Sequence, residues 1–334
     1  MATKTSIQRV GEFGLIDLIG KVLSSGSNDS NLILGIGDDA AVFKTPKKVW
    51  NVATVDALTE GVHFDLRNTD YKTLGWKALA SNLSDIAAMG AVPKWALVNL
   101  TIPAKIRIEN ITELYRGIAA CARKFKTRVI GGNITKATKE FVIGISLMGE
   151  VDPQHVLKRS SAKPGDVIAV TGDLGGSHAG LRILKHSKRS KVFSYVVRKH
   201  LMPVPRNQWA LRLLNSGVKI NSCIDISDGL SSDLSHVCRA SKVGAELNLE
   251  KIPVHPETYK VAELLNENVL NYILHGGEEY ELLMTLSPQN YKKAKAILGK
   301  HITGFGIVNA SRSIIASRHD GKKIIIGAKG FKHF

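Results

Sequence analysis

Residues 82–91 read NLSDIAAMGA, and this stretch decides how the first half of the chain folds. Leu79, Leu83 and Ile86 recur at the i, i+4, i+7 spacing of one helix face, which predicts an amphipathic helix. Gly90 is expected to end that helix, because glycine readily adopts the backbone conformation found just past helix ends. Asp85 lies on a polar face of the same helix, where its carboxylate is available for chemistry.

Segments on both sides of this helix alternate between strand-like and helix-like patterns. Runs of β-branched and apolar residues predict strands at residues 49–56, 141–148, 166–170, 224–226, 245–249, 280–284 and 302–308. Further helices are expected over residues 109–124 and 230–240. Strands and helices mixed in both halves predict an α/β (α+β) fold, with mixed sheets covered by helices.

A basic linker separates two predicted domains. The length of 334 residues is enough for two domains that each bury a core. Asp152-Pro153 is followed by the polar, basic segment KRSSAKPG at residues 158–165, and a new strand begins directly after it. We therefore expect an N-terminal domain of residues 1–150 and a C-terminal domain of residues 151–334.

The composition restricts the class of protein. The chain carries 46 Lys and Arg against 29 Asp and Glu, a formal net charge of +17. A positive field favours encounter with anionic ligands such as nucleotides and phosphate esters, and RNA remains open as an alternative. Cys121, Cys223 and Cys238 lie far apart without zinc spacing, so we expect buried thiols in a reducing cytosol. The sequence shows neither a secretory signal nor a bilayer-length apolar stretch, which predicts a cytoplasmic protein without membrane contact.

Aspartates at the ends of predicted elements are the candidate chemical groups. Asp38-Asp39 follows Gly37 at a tight turn, Asp56 closes a predicted strand, and residues 225–229, DISDG, join a strand to a helix. Mg²⁺ prefers oxygen ligands and is usually held by a few carboxylates together with substrate phosphates. Each aspartate alone is equally well explained as a helix cap or turn residue, so only the set indicates a metal site.

The common phosphate-binding motifs are absent from the sequence. There is no GxxxxGK[ST] segment and no GxGxxG opening a helix after a strand, so the sequence supports neither a P-loop kinase nor a Rossmann dehydrogenase. Residues 171–180 form a glycine-rich turn that either offers backbone N–H groups to an anion or is purely structural. His178 within this turn is expected to pack or to cap rather than to catalyse.

Several motifs together resemble the thiamine-monophosphate kinases, a family of the aminoimidazole ribonucleotide synthetase-like ATP-binding superfamily. They cover essentially the whole chain: Gly11-Glu12-Phe13, Gly37-Asp38-Asp39-Ala40, Val55-Asp56, His63-Phe64, residues 82–91, Gly131-Gly132, Arg159-Ser160, residues 225–230, GGEEYE at residues 276–281, and the terminal Gly330-Phe331-Lys332-His333-Phe334. The NLSDIAAMGA and DISDGL segments are shared across the superfamily. The GEF, GGEEYE and terminal His-Phe segments are more particular to the kinases.

The resemblance implies ATP-dependent phosphorylation of thiamine monophosphate to thiamine diphosphate, the last step of thiamine diphosphate biosynthesis. It also implies the two-domain fold of the superfamily, a homodimer whose N-terminal domains pair, ATP as co-substrate and several Mg²⁺ ions. The implied metal ligands are Asp39, Thr54, the backbone of Val55, Asp56, Asp85, Asn133, Asp225 and Asp228. The implied ATP contacts are Gly132, Asn133, Arg159 and Ser227. The implied contacts of thiamine monophosphate are His63, Glu278 and Phe331.

Physical chemistry agrees with a site that contains no general base. The acceptor is itself a phosphate, which is largely ionised near neutral pH. Catalysis then depends on holding two anions in line and neutralising their repulsion. Glu278 suits a cationic thiazolium or an aminopyrimidine, with a turn cap as its structural alternative. The structural alternatives are a solvated linker charge for Arg159 and a packed loop residue for His63.

The sequence departs from the family pattern at two positions. Asn133 follows Gly131-Gly132 where the family usually has aspartate, which removes one negative charge and predicts weaker metal binding there. Ala328 stands where related kinases can carry an aromatic residue that stacks on the substrate, and Phe331 is the candidate replacement.

Two alternatives remain open at this point. One is another ATP-dependent enzyme of the superfamily, a cyclo-ligase, a selenophosphate synthetase or a hydrogenase-maturation dehydratase. The synthetase is expected to carry a reactive cysteine near its N-terminus and the maturation enzyme a C-terminal cysteine, and the sequence has neither. The other is a non-catalytic nucleotide- or RNA-binding protein, which the charge and Asn133 favour; its RNA affinity would fall steeply with salt.

Overall fold

The computed structural model describes residues 31–34, 38–44, 48–186, 192–317 and 323–331. Over these ranges the chain forms two sheets, one in each half, with helices packed against them. The Gly11-Glu12-Phe13 motif, Gly37 and residues 332–334 lie outside the described residues.

The sheet of the first half has six strands. They are β1 (Leu32–Leu34), β2 (Ala41–Phe43), β3 (Trp50–Thr59), β4 (Val92–Pro103), β5 (Arg128–Ala137) and β6 (Val142–Val151). Their order across the sheet is β1-β2-β3-β6-β4-β5. Neighbours are antiparallel except β4 and β5, which run parallel and therefore need a crossover connection.

Two helices of the first half, α1 (Tyr71–Ala88) and α2 (Ile108–Lys124), pack closely against each other. A Cβ on Gly75 of α1 would lie 2.0 Å from the carbonyl oxygen of Leu114, and one on Gly117 of α2 would lie 1.8 Å from that of Lys72. Only glycine allows two helix backbones to approach so closely. The crossing therefore fixes α1 closely against α2.

The sheet of the second half has seven strands. They are β7 (Val167–Thr171), β8 (Ser222–Asp225), β9 (Gly244–Asn248), β10 (Leu282–Leu286), β11 (Ile302–Asn309), β12 (Ile314–Ser317) and β13 (Lys323–Ile325). Their order is β13-β12-β9-β11-β7-β10-β8, and only β12 and β9 pair in parallel.

The helices of the second half are α3 (Gly176–His186), α4 (Ser194–Leu201), α5 (Asn207–Asn215), α6 (Leu230–Ser241), α7 (Pro256–Leu264), α8 (Val269–His275) and α9 (Pro288–Leu298). Single 3₁₀ turns lie at Pro153–His155, Leu249–Lys251 and Gly299–His301.

Helix α1 lies between the two halves. The Nε1 of Trp76 donates to the carbonyl oxygen of Pro203 at 2.7 Å, and the Nδ2 of Asn207 donates to that of Leu83 at 2.8 Å. The C-terminal end of α1 shares a buried cluster with side chains of α5 and β10. Because helix α1 is enclosed on both sides, almost all of its residues from Leu74 to Ala88 are buried.

The structure confirms the expected α/β (α+β) fold with mixed sheets, and the helices at residues 108–124 and 230–241 match their predicted positions. The three cysteines are free and buried, as expected. The prediction that Asp56 closes a strand is wrong, because β3 continues to Thr59 in register with Val142 of β6. The prediction of a strand from Tyr280 is also wrong: β10 begins at Leu282, since Tyr280 has a left-handed backbone with φ of 53°.

One face of the first sheet carries exposed apolar side chains. Val55, Trp95 and Leu97 are 68%, 38% and 39% exposed. Val55 and Leu97 both pair with Ser146 of β6, so these two residues lie in one row on the same face. We call Val55, Trp95 and Leu97 the outer stripe. A membrane span is not among the described helices, since each is too short or too polar to cross a bilayer.

Candidate active site

Three carboxylates from both halves of the chain meet beside helix α1. Asp39 precedes β2, Asp85 lies in α1 and Asp225 ends β8. One carboxylate oxygen from each lies within 4.8 Å of the others. We call Asp39, Asp85 and Asp225 the carboxylate cluster. Two of its members come from the first half and one from the second, so the cluster exists only where the halves dock.

Hydroxyl groups orient the carboxylates. The Oγ1 of Thr54 donates to Asp85 Oδ2 at 2.6 Å, and the Oγ of Ser84 donates to Asp225 Oδ2 at 2.6 Å. Asp56 lies on the helix-facing side of β3 and accepts a hydrogen bond from Ser81 of α1. The structure thus brings the predicted ligands Thr54 and Asp56 to the same region as the cluster.

Burial and mutual repulsion raise the pKa values of these aspartates. The pKa of Asp85 and of Asp225 lies well above the ordinary value, because each is buried and faces other carboxylates. Burial also raises the pKa of Asp56, against the lowering effect of its hydrogen bond from Ser81. Adjacent buried carboxylates repel one another when all are ionised. A divalent cation offsets this repulsion, so such a set of oxygen donors suits one.

Arg159 contributes a positive charge to the cluster. Its Nη2 lies 2.8 Å from Oδ1 of Asp39, and its backbone N–H donates to Oδ1 of Asp38 at 2.8 Å. The carboxylates of Asp39 and Asp225 raise the pKa of the guanidinium, although burial alone would lower it. The guanidinium is therefore permanently charged at the edge of the cluster, and its alternative role as a solvated linker charge does not describe this position.

The turn after β8 contacts the GGEEYE segment of residues 276–281. The N–H of Glu278 donates to the carbonyl oxygen of Ser227 at 2.7 Å, and that of Tyr280 donates to Ile226 at 2.9 Å. The N–H of Phe331 donates to the carbonyl oxygen of Asp228 at 3.0 Å. Predicted ATP, metal and substrate residues are thus neighbours along one surface.

The predicted substrate residues come together around Glu278. Lys77 of α1, 1% exposed, places its Nζ 2.6 Å from Glu278 Oε1 and 3.3 Å from the carbonyl oxygen of His63. Glu278 Oε2 lies 3.5 Å from Nδ1 of His200. The rings of His63 and Phe331 lie 6.0 Å apart between centroids. His63 and Phe331 therefore stand beside the same short region of the chain as Glu278.

Glu279 and Glu281 anchor the GGEEYE segment in the interior. Lys199 Nζ lies 3.0 Å from Glu279 Oε2, and Nε of Arg206 donates to Glu281 Oε2 at 2.6 Å. Burial raises the pKa of Glu279 to about 7, against the effect of Lys199. These buried pairs hold a backbone that is left-handed at Glu278, with φ of 59°.

The glycine-rich turn of residues 171–180 is structural in this fold. The N–H of Ser177, at the start of α3, donates to Oε1 of Glu279 at 3.1 Å. A protein carboxylate therefore already takes the anion position at this helix N-terminus. His178 packs on Tyr272 with ring centroids 4.9 Å apart, and burial lowers its pKa to about 4.

Asn133 and Gly132, two of the predicted residues, lie elsewhere in this chain. The side chain of Val55 belongs to the outer stripe, but the predicted metal contact of Val55 is its backbone, which lies between Thr54 and Asp56 on β3. Asn133 is exposed on β5 and donates to Oδ1 of Asn99 at 3.3 Å on that same outer face. Gly132, its neighbour on β5, is three strands away from Asp56 in register, which is about 14 Å.

Sequence reasoning missed Lys77, Ser84 and His200 as site residues. Lys77 and Ser84 lie two turns apart on α1, a helix whose other described side chains are mostly apolar and buried. A lysine within such an apolar helix can be recognised in the sequence as a candidate functional residue. The sequence does not mark His200 in this way, because only folding brings α4 next to Glu278.

Family models match both halves of the chain. The N-terminal domain of the AIR synthase related proteins matches residues 37–151, and the C-terminal domain of the same proteins matches residues 163–303.

Individual relatives are similar over nearly the full length. The thiamine-monophosphate kinase of Buchnera aphidicola subsp. Schizaphis graminum is 37% identical, with 97% of this chain and 99% of the relative covered. That of Bacillus subtilis is 34% identical, with 95% and 98% covered. The solved structure of AaThiL complexed with AMPPCP and TMP is 33% identical, covers 100% of both chains and has a TM-score of 0.85.

Proposed function

The chain belongs to the thiamine-monophosphate kinases among the AIR synthase related proteins, and we propose that it phosphorylates thiamine monophosphate at the carboxylate cluster. The reaction uses ATP and yields thiamine diphosphate. One observation supports placing the reaction here. Carboxylate oxygens of Asp39, Asp85 and Asp225 lie within 4.8 Å of one another, next to the permanently charged Arg159.

The donor set of the cluster fits Mg²⁺, which we propose as its metal. Asp39, Asp85 and Asp225 would supply carboxylate oxygens, and Asp56 and Thr54 lie close enough to add further oxygens. Asp228 is a further proposed ligand, three residues after Asp225 in the turn between β8 and α6. Bound Mg²⁺ would offset the charge of two approaching phosphate groups. The raised pKa values of Asp56, Asp85 and Asp225 mean that metal binding at these three residues would displace protons.

The protein residues bind and orient, and none acts as a general base. The acceptor phosphate oxygen is already largely ionised near neutral pH, so it needs no proton removed. We propose that Arg159 and Ser227 contact the phosphates of ATP, Arg159 through its guanidinium fork. Ser227 is the second residue after β8, and its carbonyl oxygen accepts the N–H of Glu278, so this hydrogen bond connects the proposed ATP end of the site to the proposed substrate end.

The opposite end of the site suits the ring system of thiamine monophosphate. Glu278 offers a carboxylate to the thiazolium or to the aminopyrimidine. His63 and Phe331 add aromatic surface from the two halves of the chain. Phe331 is 42% exposed, so its ring remains accessible to a ligand.

We propose a homodimer that pairs the outer stripes of two first sheets. An exposed apolar face on a sheet whose other face is covered is a typical association surface. Asn133 and Gly132 lie on or beside this face, far from the cluster of their own chain. Their proposed contacts with metal and ATP would therefore be made to the site of a second copy. The cytoplasm remains the proposed location.

Turnover is the direct test. The purified protein is incubated with Mg-ATP and thiamine monophosphate, thiamine diphosphate is followed by chromatography, and thiamine serves as the control acceptor. We expect product from the monophosphate alone. A folded protein that binds Mg-ATP yet forms no product would overturn the assignment. In that case RNA binding that falls steeply with salt would support the non-catalytic alternative.

A further inference from the structure

Lys77 is a buried lysine without a role in the phosphoryl-transfer chemistry. It lies in the middle of α1, 1% exposed, eight residues before Asp85. Eight helical residues span about 12 Å, so one rigid helix carries Asp85 at one end of the site and Lys77 at the other. An isolated buried ammonium is costly, and its position therefore needs an explanation.

The contacts of Lys77 all lead to the proposed substrate residues. Its Nζ forms an ion pair with Oε1 of Glu278 at 2.6 Å and donates to the carbonyl oxygen of His63 at 3.3 Å. Oε1 of Glu278 is buried and accepts no hydrogen bond of good geometry, so the ammonium charge is what compensates it. Lys77 thereby ties the loop of His63 in the first half to the GGEEYE segment in the second.

The second oxygen of Glu278 faces a weaker neighbour. Oε2 lies 3.5 Å from Nδ1 of His200, and that same nitrogen lies 3.2 Å from Oγ of Ser177. The His200 ring is buried beside Lys77, which disfavours its protonated form, so it brings no positive charge to Glu278. Glu278 is 24% exposed, whereas Glu279 and Glu281 are fully enclosed. Oε2 is therefore the oxygen of this carboxylate that faces no cationic partner.

We propose that Lys77 is a positioning residue for recognition of the cationic ring system, holding Oε1 of Glu278 and the His63 carbonyl so that Oε2 is directed at the ligand. Lys77 itself does not touch the substrate. This inference rests on the proposed function, and it adds that recognition of the rings is set from α1, the helix that also carries Asp85.

A double-mutant cycle tests the inference. Lys77→Met, Glu278→Gln and the double variant are compared with the wild type, and Lys72→Met, an exposed lysine of α1, is the matched control. We expect Lys77→Met to raise the KM for thiamine monophosphate about 10- to 100-fold, the effect of losing a charge-assisted contact, with kcat and the KM for ATP nearly unchanged. In the Glu278→Gln background the same substitution should have little further effect.

Binding without turnover provides an independent readout. Calorimetric titration of thiamine monophosphate, without ATP or Mg²⁺, should show the same loss of affinity in Lys77→Met and partial recovery in Lys77→Arg. Circular dichroism and the melting temperature show whether each variant is folded, and Lys77→Gln replaces Lys77→Met if that protein does not fold.

Two results would overturn the inference. An unchanged KM in Lys77→Met excludes a role for Lys77 in recognition, and additive effects in the double variant exclude an action through Glu278. Failure of the wild type itself to phosphorylate thiamine monophosphate is a different result, because it would overturn the proposed function instead.

Discussion

Ser84 Oγ donates a 2.6 Å hydrogen bond to Asp225 Oδ2, and the two residues are 141 positions apart in the sequence. Ser84 is fully buried and Asp225 is 2% exposed, so the bond forms away from solvent at the contact between α1 and β8. It fixes the second-half carboxylate beside the first-half Asp85. The geometry of the cluster is thus a property of the docked halves and not of either one alone.

Removing one charge from the cluster should abolish the reaction and leave the fold intact. Asp85→Asn and Asp225→Asn keep the size of the side chain but weaken the donor set, and we expect turnover to fall below detection. Relief of repulsion between buried carboxylates should keep the melting temperature at or above that of the wild type. Kinase assays and circular dichroism measure both effects, with the exposed Asp152→Asn as control. Near-normal activity in both variants would remove the cluster from the mechanism.

Stability without metal should depend on pH through the same carboxylates. Raised pKa values for Asp85 and Asp225 mean that the folded state binds more protons than the unfolded state above pH of about 4. Their contribution to the free energy of unfolding is therefore fully present below that pH and is lost as the pH rises towards the raised pKa.

Melting curves from pH 5 to 8, recorded in EDTA and in Mg²⁺, test this sign. In EDTA the melting temperature of the wild type should fall with pH more steeply than that of Asp85→Asn. Mg²⁺ should raise the melting temperature of the wild type most at the highest pH, because ionised carboxylates bind it best. Equal slopes for the two proteins would contradict the raised pKa of Asp85.

A charge on the outer stripe should prevent dimerisation. Leu97→Glu places a carboxylate in the apolar face of the first sheet, where pairing with a second copy would bury it. Light scattering after gel filtration should report a dimer for the wild type and a monomer for this variant. Leu264→Glu, at a residue 44% exposed in the second half, is the matched control and should stay dimeric. Dimers in both variants would place the interface elsewhere.

An added carboxylate at position 133 should strengthen metal binding. We expect Asn133→Asp to lower the Mg²⁺ concentration for half-maximal activity severalfold, because a carboxylate is a better Mg²⁺ ligand than an amide. Asn99→Asp is the control, since Asn99 pairs with Asn133 and would add the same charge to the same face. Similar shifts in the two variants would show a general electrostatic effect and not a ligand at position 133. If the outer faces of two copies pair as proposed, the effect should disappear in the Leu97→Glu background.

The sequence predicted the helices and strands better than the contacts between them. The spacing of Leu79, Leu83 and Ile86 indicated α1 correctly, because helix periodicity is a local property. Asp39, Asp85 and Asp225 were recognised through their motifs, and the structure brings them together. The end of β3 was misplaced because Asp56 is a polar residue within a strand that pairs beyond it.

The surroundings of Glu278 could be predicted only in part. Glu278 was marked by its motif, but its partners come from α1 and α4, which are distant in sequence. Burial of Lys77 is a tertiary property, and no local pattern reports which carboxylate a buried lysine will meet. The left-handed backbone at Glu278 and Tyr280 was equally hidden, since neither residue type favours that conformation.

The close approach of helices α1 and α2 at Gly75 and Gly117 makes the candidate site sensitive to substitutions at that crossing. A methyl group at position 117 cannot fit 1.8 Å from a backbone oxygen, so α1 would have to shift. A shift of α1 would move Lys77 and Asp85 together. Lys77 would then be displaced from Glu278, and Asp85 from the other carboxylates of the cluster. Substitutions at this crossing should therefore reduce activity as substitutions in the site do, although they lie outside it. Distance from the carboxylate cluster alone would underestimate the effect of an inherited or engineered change there.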